Sequence, residues 1–363
     1  MPTEARHAIS GQIVLETGAE LSALTASPAS PPPSMHPRLD GLAVQPSDVR
    51  RAGALLAGQV HRTPLLRSAT LDDAVGARIF SKAENLQRTG SFKIRGALHR
   101  LSLLAPAERA AGVVAFSSGN HAQGVALAAR ILGMRATIVM PSDAPDVKAQ
   151  ATRAYGAEIV SYDRQFEDRE VVAARVAGER GGVVVPPFDD LDVIAGQGTV
   201  GQEIAQQLRA IAVKPDVALV PVGGGGLASG VSIALIEAFP DIRIIGVEPA
   251  NADDARQSLQ RGEIVTIEQP KTIADGVATR FVGTHTFPIL QALLDEIVTV
   301  TEDEILRALR FILVRMKQVV EPTGALTTAA LFEGHVNVRG RNVISIFCGG
   351  NLDFGILERA HQS

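Results

Sequence analysis

The chain has 363 residues, with 35 Lys and Arg against 39 Asp and Glu, a formal net charge of -4. That balance lacks the clustered basic excess that a nucleic-acid groove or an anionic membrane surface selects, so neither is expected as a partner. At 46% hydrophobic and 4% aromatic, the composition supports a large buried core and argues against stacking platforms.

Residues 1–36 are expected to be a disordered extension, because residues 25–33 read TASPASPPP, a tract that extends rather than packs. No basic segment precedes an uninterrupted apolar core there, which argues against a secretory signal. Glu4, Glu16 and Glu20 fit poorly with an acid-poor transit peptide. From about Val44 onward, short apolar runs alternate with stretches of helical character. Strands are predicted over 113–116, 136–140 and 158–162, each followed by a helix, over 122–132, 147–155 and 168–178. A second cluster has strands over 217–222, 242–247 and 343–347, with a helix over 227–238. Continuous apolar strands separated by helices predict parallel sheets covered on both faces, and two clusters predict an α/β fold of two doubly wound lobes. The smaller lobe is expected over 112–188, and the larger over 37–111 and 189–363, with a cleft between them. No apolar run reaches the ~20 residues of a spanning helix.

Five segments have residue types suited to chemistry. Thr89-Gly90-Ser91-Phe92-Lys93 places a lysine after a Gly-Ser turn. Desolvated, such an amine becomes a nucleophile; alone, a solvated lysine at a helix start is the simpler reading. Ser117-Ser118-Gly119-Asn120-His121 links a strand to a helix, where backbone N–H groups attract a carboxylate or phosphate. An ordinary helix cap fits that segment equally well. Gly223-Gly224-Gly225-Gly226 lets backbone wrap an oxyanion. The spacing Gly223-x-Gly225-x-x-Ala228, with Glu248 on the next strand, also matches a dinucleotide fingerprint. Glu248 and Asp254, two carboxylates six positions apart with backbone carbonyls between them, offer hard oxygen ligands for Mg²⁺ or Ca²⁺, against the plainer reading of a strand-end acid with Asp253 or Asp254 capping the next helix. Cys348, the only cysteine, precedes two glycines and a polar Asn351. A single thiol rules out an internal disulfide and a multi-thiolate metal cluster, and suits a reducing, cytoplasmic compartment.

In this order, the five segments resemble the serine/threonine dehydratase family of fold-type II pyridoxal-phosphate enzymes, which includes threonine ammonia-lyases and serine racemases. The similarity runs from about Val44 to the C-terminus. It implies a tryptophan synthase β-like architecture with pyridoxal 5'-phosphate in the interdomain cleft. By resemblance Lys93 is the Schiff-base lysine, Phe92 lies beside the cofactor ring, and Gly223, Gly224, Gly225 and Gly226 hold the phosphate. Asn120 meets the ring hydroxyl oxygen, and Cys348 stands where many members have serine beside the ring nitrogen. Ser117, Ser118, Asn120 and His121 match the loop that receives the substrate carboxylate, and Ser118 matches the second-face acid/base of the racemases. Glu248, Ala252 and Asp254 match a divalent-cation site. Phe188, in Pro187-Phe188-Asp189-Asp190, is similar to the dehydratases rather than to a racemase with asparagine there.

The implied activity is an ammonia-lyase converting a β-hydroxy L-amino acid, threonine or serine first, to a 2-oxo acid and ammonia. Serine racemase and 3-hydroxyaspartate dehydratase are the alternatives within the family. An NAD-linked oxidoreductase built on the Gly223 loop is the alternative outside it. The resemblance also implies a homodimer. Arg169 is a candidate clamp for a second substrate carboxylate, although a solvated helix arginine is the simpler reading.

Overall fold

The computed structural model describes residues 36–144 and 146–362. The extension expected over 1–36 therefore lies outside the described residues, apart from His36. Among the described residues, ten strands form two sheets. In chain order they are β1 Leu65–Leu66, β2 Arg78–Ala83, β3 Val113–Phe116, β4 Ala136–Pro141, β5 Glu158–Tyr162, β6 Val183–Val184, β7 Val217–Pro221, β8 Arg243–Pro249, β9 Glu296–Val300 and β10 Asn342–Phe347.

The larger sheet has the order β1-β2-β10-β7-β8-β9, and only β1 runs antiparallel to its neighbour. The smaller, β5-β4-β3-β6, is parallel throughout. The continuous apolar runs have the cause inferred from sequence: both faces of each sheet are covered. Along β10, Ile344 and Ile346 enter one core while Val343 and Phe347 enter the other. Along β3, Val113 and Ala115 face one core, Val114 and Phe116 the opposite one. Side chains alternate because the strand period is two, so a strand buried on both faces is apolar except where a partner satisfies a polar side chain, as Thr327 does for Ser345 at 2.8 Å.

The helix Lys93–Ser102 belongs to neither sheet alone. Its Ile94, Ala97, Leu98 and Leu101 join the core of the smaller sheet. Its Gly96 packs so tightly on the helix Leu191–Ala210 that a Cβ there would lie 2.9 Å from the Val193 carbonyl oxygen. The loops that leave β3, β7 and β10 all emerge at strand carboxyl ends, the edge where parallel α/β sheets place ligands.

Candidate active site

One cavity of about 190 Å³ is lined by Phe92, Lys93, Ser117, Ser118, Asn120 and His121, by all four glycines from Gly223 to Gly226, and by Cys348. Segments far apart in the chain thus meet at one place. Glu248, Ala252 and Asp254 are not among the lining residues.

Backbone pairing sets the position of Lys93. The Phe92 N–H donates to the Cys348 carbonyl at 3.1 Å, and the Gly350 N–H donates to the Gly90 carbonyl at 2.8 Å. The turn before the lysine is in this way zipped to the end of β10. Thr89 sits at φ 62, a left-handed conformation costly for a β-branched residue. Asn351 Nδ2 holds that turn by donating to the Thr89 carbonyl at 2.8 Å, and also donates to Asn120 Oδ1 at 2.7 Å. Lys93 Nζ donates to the Pro187 carbonyl at 2.7 Å. Lys93 is half-buried in the cavity wall, and desolvation there pulls its amine down to about 8. A neutral fraction is therefore available near physiological pH.

The segment after β3 turns into the helix Asn120–Ile131, whose N-terminal Gly119 has no side-chain cap. Ser117 Oγ accepts from the Gly119 N–H at 3.1 Å. No side chain caps the first turn, and Gly119, Asn120 and His121 all line the cavity, the position an anion site at a helix N-terminus requires. His121 is buried, with Nε2 2.9 Å from the Val185 carbonyl, and desolvation drops it to about 3. It stays neutral and orients the loop.

The glycine segment precedes the helix Gly226–Ala238, and Gly225 has φ 95. A Cβ at Gly223 would lie 2.9 Å from Val277, and one at Gly225 2.8 Å from Thr286 and Leu290. At Gly224 it would strike the Phe188 ring. Every added carbon meets protein, at Gly224 and Gly226 the cavity-lining Phe188, so the loop has room for backbone only. Glycine-lined backbone at a helix N-terminus suits a phosphate, and a desolvated lysine across the cavity suits an aldehyde. These residues fit pyridoxal phosphate.

The same geometry removes the support for the dinucleotide reading. Glu248 is buried, and its two carboxylate oxygens accept from the Ala255 and Arg256 N–H groups at 3.1 and 2.8 Å. It caps the helix Asp254–Arg261 from the end of β8, turned away from any ribose. Asp253, at the N-cap position, makes no side-chain cap bond. Asp254 is fully buried and neither of its oxygens has a well-formed hydrogen bond, although its own backbone N–H and Thr279 lie near enough to favour its charged form weakly. Burial, with the Asp254 charge nearby, raises Glu248 well above the usual carboxylate range, and burial pushes Asp254 up to about 7. A buried carboxylate without a well-formed hydrogen bond is what a hard cation would satisfy. No group of three or more His, Cys, Asp and Glu placed to hold a metal is gathered anywhere among the described residues.

Three residues of the cavity carried no signal in the sequence. Glu321 is 3% exposed and accepts from Asn120 Nδ2 at 2.7 Å; burial, with Asp275 close by, pushes it up to about 8. Cys348, beside it, is buried, and burial raises its thiol, keeping it neutral. Lys148 and Asp275 form an ion pair of 2.5 Å in the cavity lining. Arg169 also lines the cavity; its guanidinium lies 5.6 Å from the Phe116 ring centroid and pairs with no carboxylate among the described residues.

The family described as "Pyridoxal-phosphate dependent enzyme" matches residues 56–349. An L-threo-3-hydroxyaspartate ammonia-lyase of Pseudomonas sp is 50% identical over 306 residues, covering 84% of this chain and 95% of that protein. The serine racemase of Schizosaccharomyces pombe is 43% identical, over 84% and 94%. The crystal structure of a T.th. threonine deaminase superposes with a TM-score of 0.80 at 47% identity, covering 85% of this chain and 99% of that one.

Proposed function

Because the chain belongs to the pyridoxal-phosphate dependent enzymes, we propose that it is an ammonia-lyase that converts a β-hydroxy L-amino acid to a 2-oxo acid and ammonia. The observation that carries this is Lys93: a desolvated amine at about 8, in one cavity with an uncapped helix N-terminus and a glycine cradle. Lys93 would hold the cofactor covalently, Gly223, Gly224, Gly225 and Gly226 its phosphate, and Phe92, Asn120 and Cys348 its ring. When bound, pyridoxal phosphate supplies the electron sink that acidifies the α-proton.

The chain's own groups do the rest. Ser117, Ser118, Asn120 and His121 receive the substrate carboxylate through N–H, hydroxyl and amide donors. Neutral Lys93 Nζ takes the α-proton, and its bond to the Pro187 carbonyl fixes the direction of that nitrogen. His121 stays neutral at all working pH and moves no proton. Neutral Cys348 beside the ring offers only a weak donor, which favours prompt elimination over a long-lived carbanion. Ser118 is the proposed proton handler on the opposite face, the role that a racemase activity would need. We further place residues 37–111 and 189–363 in a larger lobe and 112–188 in a smaller one, with Lys93–Ser102 packed between the core of the smaller sheet and the helix Leu191–Ala210.

L-Threonine and L-serine are the substrates implied by the sequence. A specific observation supports a second reading, L-threo-3-hydroxyaspartate: Arg169 presents a guanidinium to the cavity, and no carboxylate among the described residues pairs with it. A dicarboxylic substrate would supply one, with a charge-assisted bidentate contact. The deciding experiment is a 2-oxo acid and ammonia assay of the holoenzyme across the three substrates, scored by kcat/KM. If Arg169 clamps the second carboxylate, Arg169→Gln lowers kcat/KM for 3-hydroxyaspartate roughly 10- to 100-fold and that for threonine little. Equal effects on both would remove Arg169 from substrate selection. Absence of turnover on all three would overturn the ammonia-lyase reading.

Two further assignments accompany this reading. Glu248, the Ala252 carbonyl and Asp254 are proposed to hold Mg²⁺ or Ca²⁺, on the strength of the buried Asp254 carboxyl, whose oxygens have no well-formed hydrogen bond. A homodimer is supported by Leu86 and Val319, 47% and 53% exposed, which are brought together by the bond from Asn85 Nδ2 to the Val319 carbonyl. No helix among the described residues is long and apolar enough to cross a membrane, and a cytoplasmic location is proposed with the reducing compartment that Cys348 suits.

A further inference from the structure

Arg95 lies two residues beyond Lys93, its side chain wholly buried. Its Nε and Nη2 donate to the two oxygens of Glu84 at 2.8 Å each. Nη1 and Nη2 donate to the two oxygens of Glu203 at 2.7 and 3.0 Å. The remaining donor capacity goes to Thr199 Oγ1 and the His61 carbonyl, each at 3.3 Å. Lys82, equally buried on β2, closes the network by donating to Glu203 at 2.7 Å and to the Thr63 carbonyl at 2.7 Å. Burial opposes charge on Arg95, but Glu84 and Glu203 more than offset it and hold the guanidinium charged.

Such a network is an inefficient way to stabilise a fold. Buried ion clusters roughly break even against well-packed apolar side chains, because desolvation consumes the Coulombic gain. An apolar contact, however, leaves a helix free to rotate or slide, whereas a planar fork held by two carboxylates fixes direction. The lysine helix has that need. Its apolar face rests on the core of the smaller sheet. Gly124, on the helix that follows the substrate loop, lies so close that a Cβ would stand 3.1 Å from the Lys93 carbonyl carbon. Toward Leu191–Ala210 the helix is also bonded by the Gly96 N–H to Gln197 Oε1 at 3.2 Å, by His99 Nδ1 2.7 Å from the Asp192 carbonyl and by Arg100 Nε to Asp190 at 2.9 Å. Arg95 is the wholly buried member of this set, and it joins the first turn, beside Lys93, both to Glu84 at the end of β2 and to Glu203 on Leu191–Ala210. Its own N–H also closes the first turn by donating to the Phe92 carbonyl at 3.0 Å.

We propose that Arg95, held between Glu84 and Glu203, is a positioning residue that sets the rotation of the lysine helix and so aims Lys93 Nζ into the cavity. The inference rests on Lys93 being the cofactor lysine. Two variants test it in the full chain: Glu203→Gln, which keeps one acceptor, and Arg95→Lys, which keeps the charge but loses the fork. A cavity of about 460 Å³ reaches Arg95 and Glu203 from outside the active site, so water can enter where the carboxylate is weakened. Leu208→Ala, on the helix Leu191–Ala210 with its side chain buried in the apolar core, serves as a destabilised control.

Two quantities are read: steady-state turnover of the holoenzyme, and the rate at which added pyridoxal 5'-phosphate is captured covalently as a function of pH. In both test variants kcat should fall roughly 10- to 100-fold with KM changed little, the scale expected for a reacting atom misplaced by about 1 Å. The pH midpoint of covalent capture should move from about 8 toward the free-lysine value of 10.5 as the amine leaves its buried position. The control should lower Tm while leaving the midpoint and kcat in place. Native kcat and midpoint in folded Glu203→Gln and Arg95→Lys, or losses that merely track Tm as in the control, would overturn the inference. Failure of the underlying reading looks different: wild type itself would then capture no cofactor, or Lys93→Ala would capture it normally.

Discussion

Glu321 Oε1 accepts the Asn120 Nδ2 hydrogen bond at 2.7 Å, while Asn120 Oδ1 accepts from Asn351. Both ends of the Asn120 amide are thereby assigned, and one N–H is left to point into the cavity. Burial, with the Asp275 charge, pushes Glu321 up to about 8. Its folded-state value thus lies above the ordinary 4.5, so its contribution to stability is fully present below about pH 4.5 and is lost as pH rises through about 8. The loss is on the order of a few kcal/mol. Urea unfolding should show stability falling between about pH 5 and 8.5, and Glu321→Gln should flatten that slope while preserving turnover at neutral pH. A variant with the wild-type slope would mean that Glu321 is ionised throughout.

Gly224→Ala should weaken pyridoxal phosphate binding by roughly tenfold or more, because overpacking costs about 1–3 kcal/mol and the new carbon meets the Phe188 ring. Adding Phe188→Leu should recover part of the loss. Equilibrium dialysis of the cofactor checks this, and an unchanged Kd would show that the cradle is elsewhere.

Ser118→Ala separates two roles. If Ser118 only helps bind the carboxylate, elimination from the L-substrate falls several-fold, mainly through KM. If it also moves protons on the second face, any racemisation disappears while elimination survives. Chiral analysis of residual substrate alongside the ammonia assay distinguishes the two, and equal loss of both activities contradicts the two-face assignment.

Asp254 gives a prediction with a sign. Its carboxyl is held near 7 by burial, which outweighs weak support from its own backbone N–H and Thr279, so a cation must compete with a proton and should bind more tightly as pH rises past about 7. Mg²⁺ or Ca²⁺ should raise the Tm of chelator-treated protein, by RT ln(1 + [L]/Kd), and do so more at about pH 8 than at about pH 6. Asp254→Ala should ignore added metal. In chelator it should be no less stable than wild type at about pH 8, since it removes an unpaired buried charge worth about 1–3 kcal/mol. Indifference of wild-type Tm to both chelator and cation would leave Glu248 a helix cap and no more.

Much of this arrangement is legible from the chain alone, for a definite reason. The strands legible in the sequence are mostly apolar runs, such as β3 and β7, and the serine and glycine segments follow these two directly. β2 was missed because its RIFSKA pattern carries a lysine, and Lys82 is buried only through Glu203, far along the chain. Glu321 and Arg95 escaped for the same reason, since their partners lie 201 and 108 positions away. Glu248 reads as the ribose-binding position of a dinucleotide fingerprint because nothing local shows that it caps a helix starting six residues later. Local patterns report backbone and burial. Pairings between distant charges leave no local trace.

The pairing of β2 with β10 bears on how the protein is made. Apart from two-residue β1, β10 is the only strand beside β2 among the described residues, and Phe347 sits opposite Ala83. A ribosome that has just delivered Lys93 must therefore add roughly 250 further residues before the strand that anchors its turn exists. At about 5–20 residues per second that is roughly 13–50 s. During that interval the nascent chain exposes an unpaired β2 edge and has no assembled aldehyde site, so cofactor loading is a post-translational event and the waiting edge a natural client for chaperones.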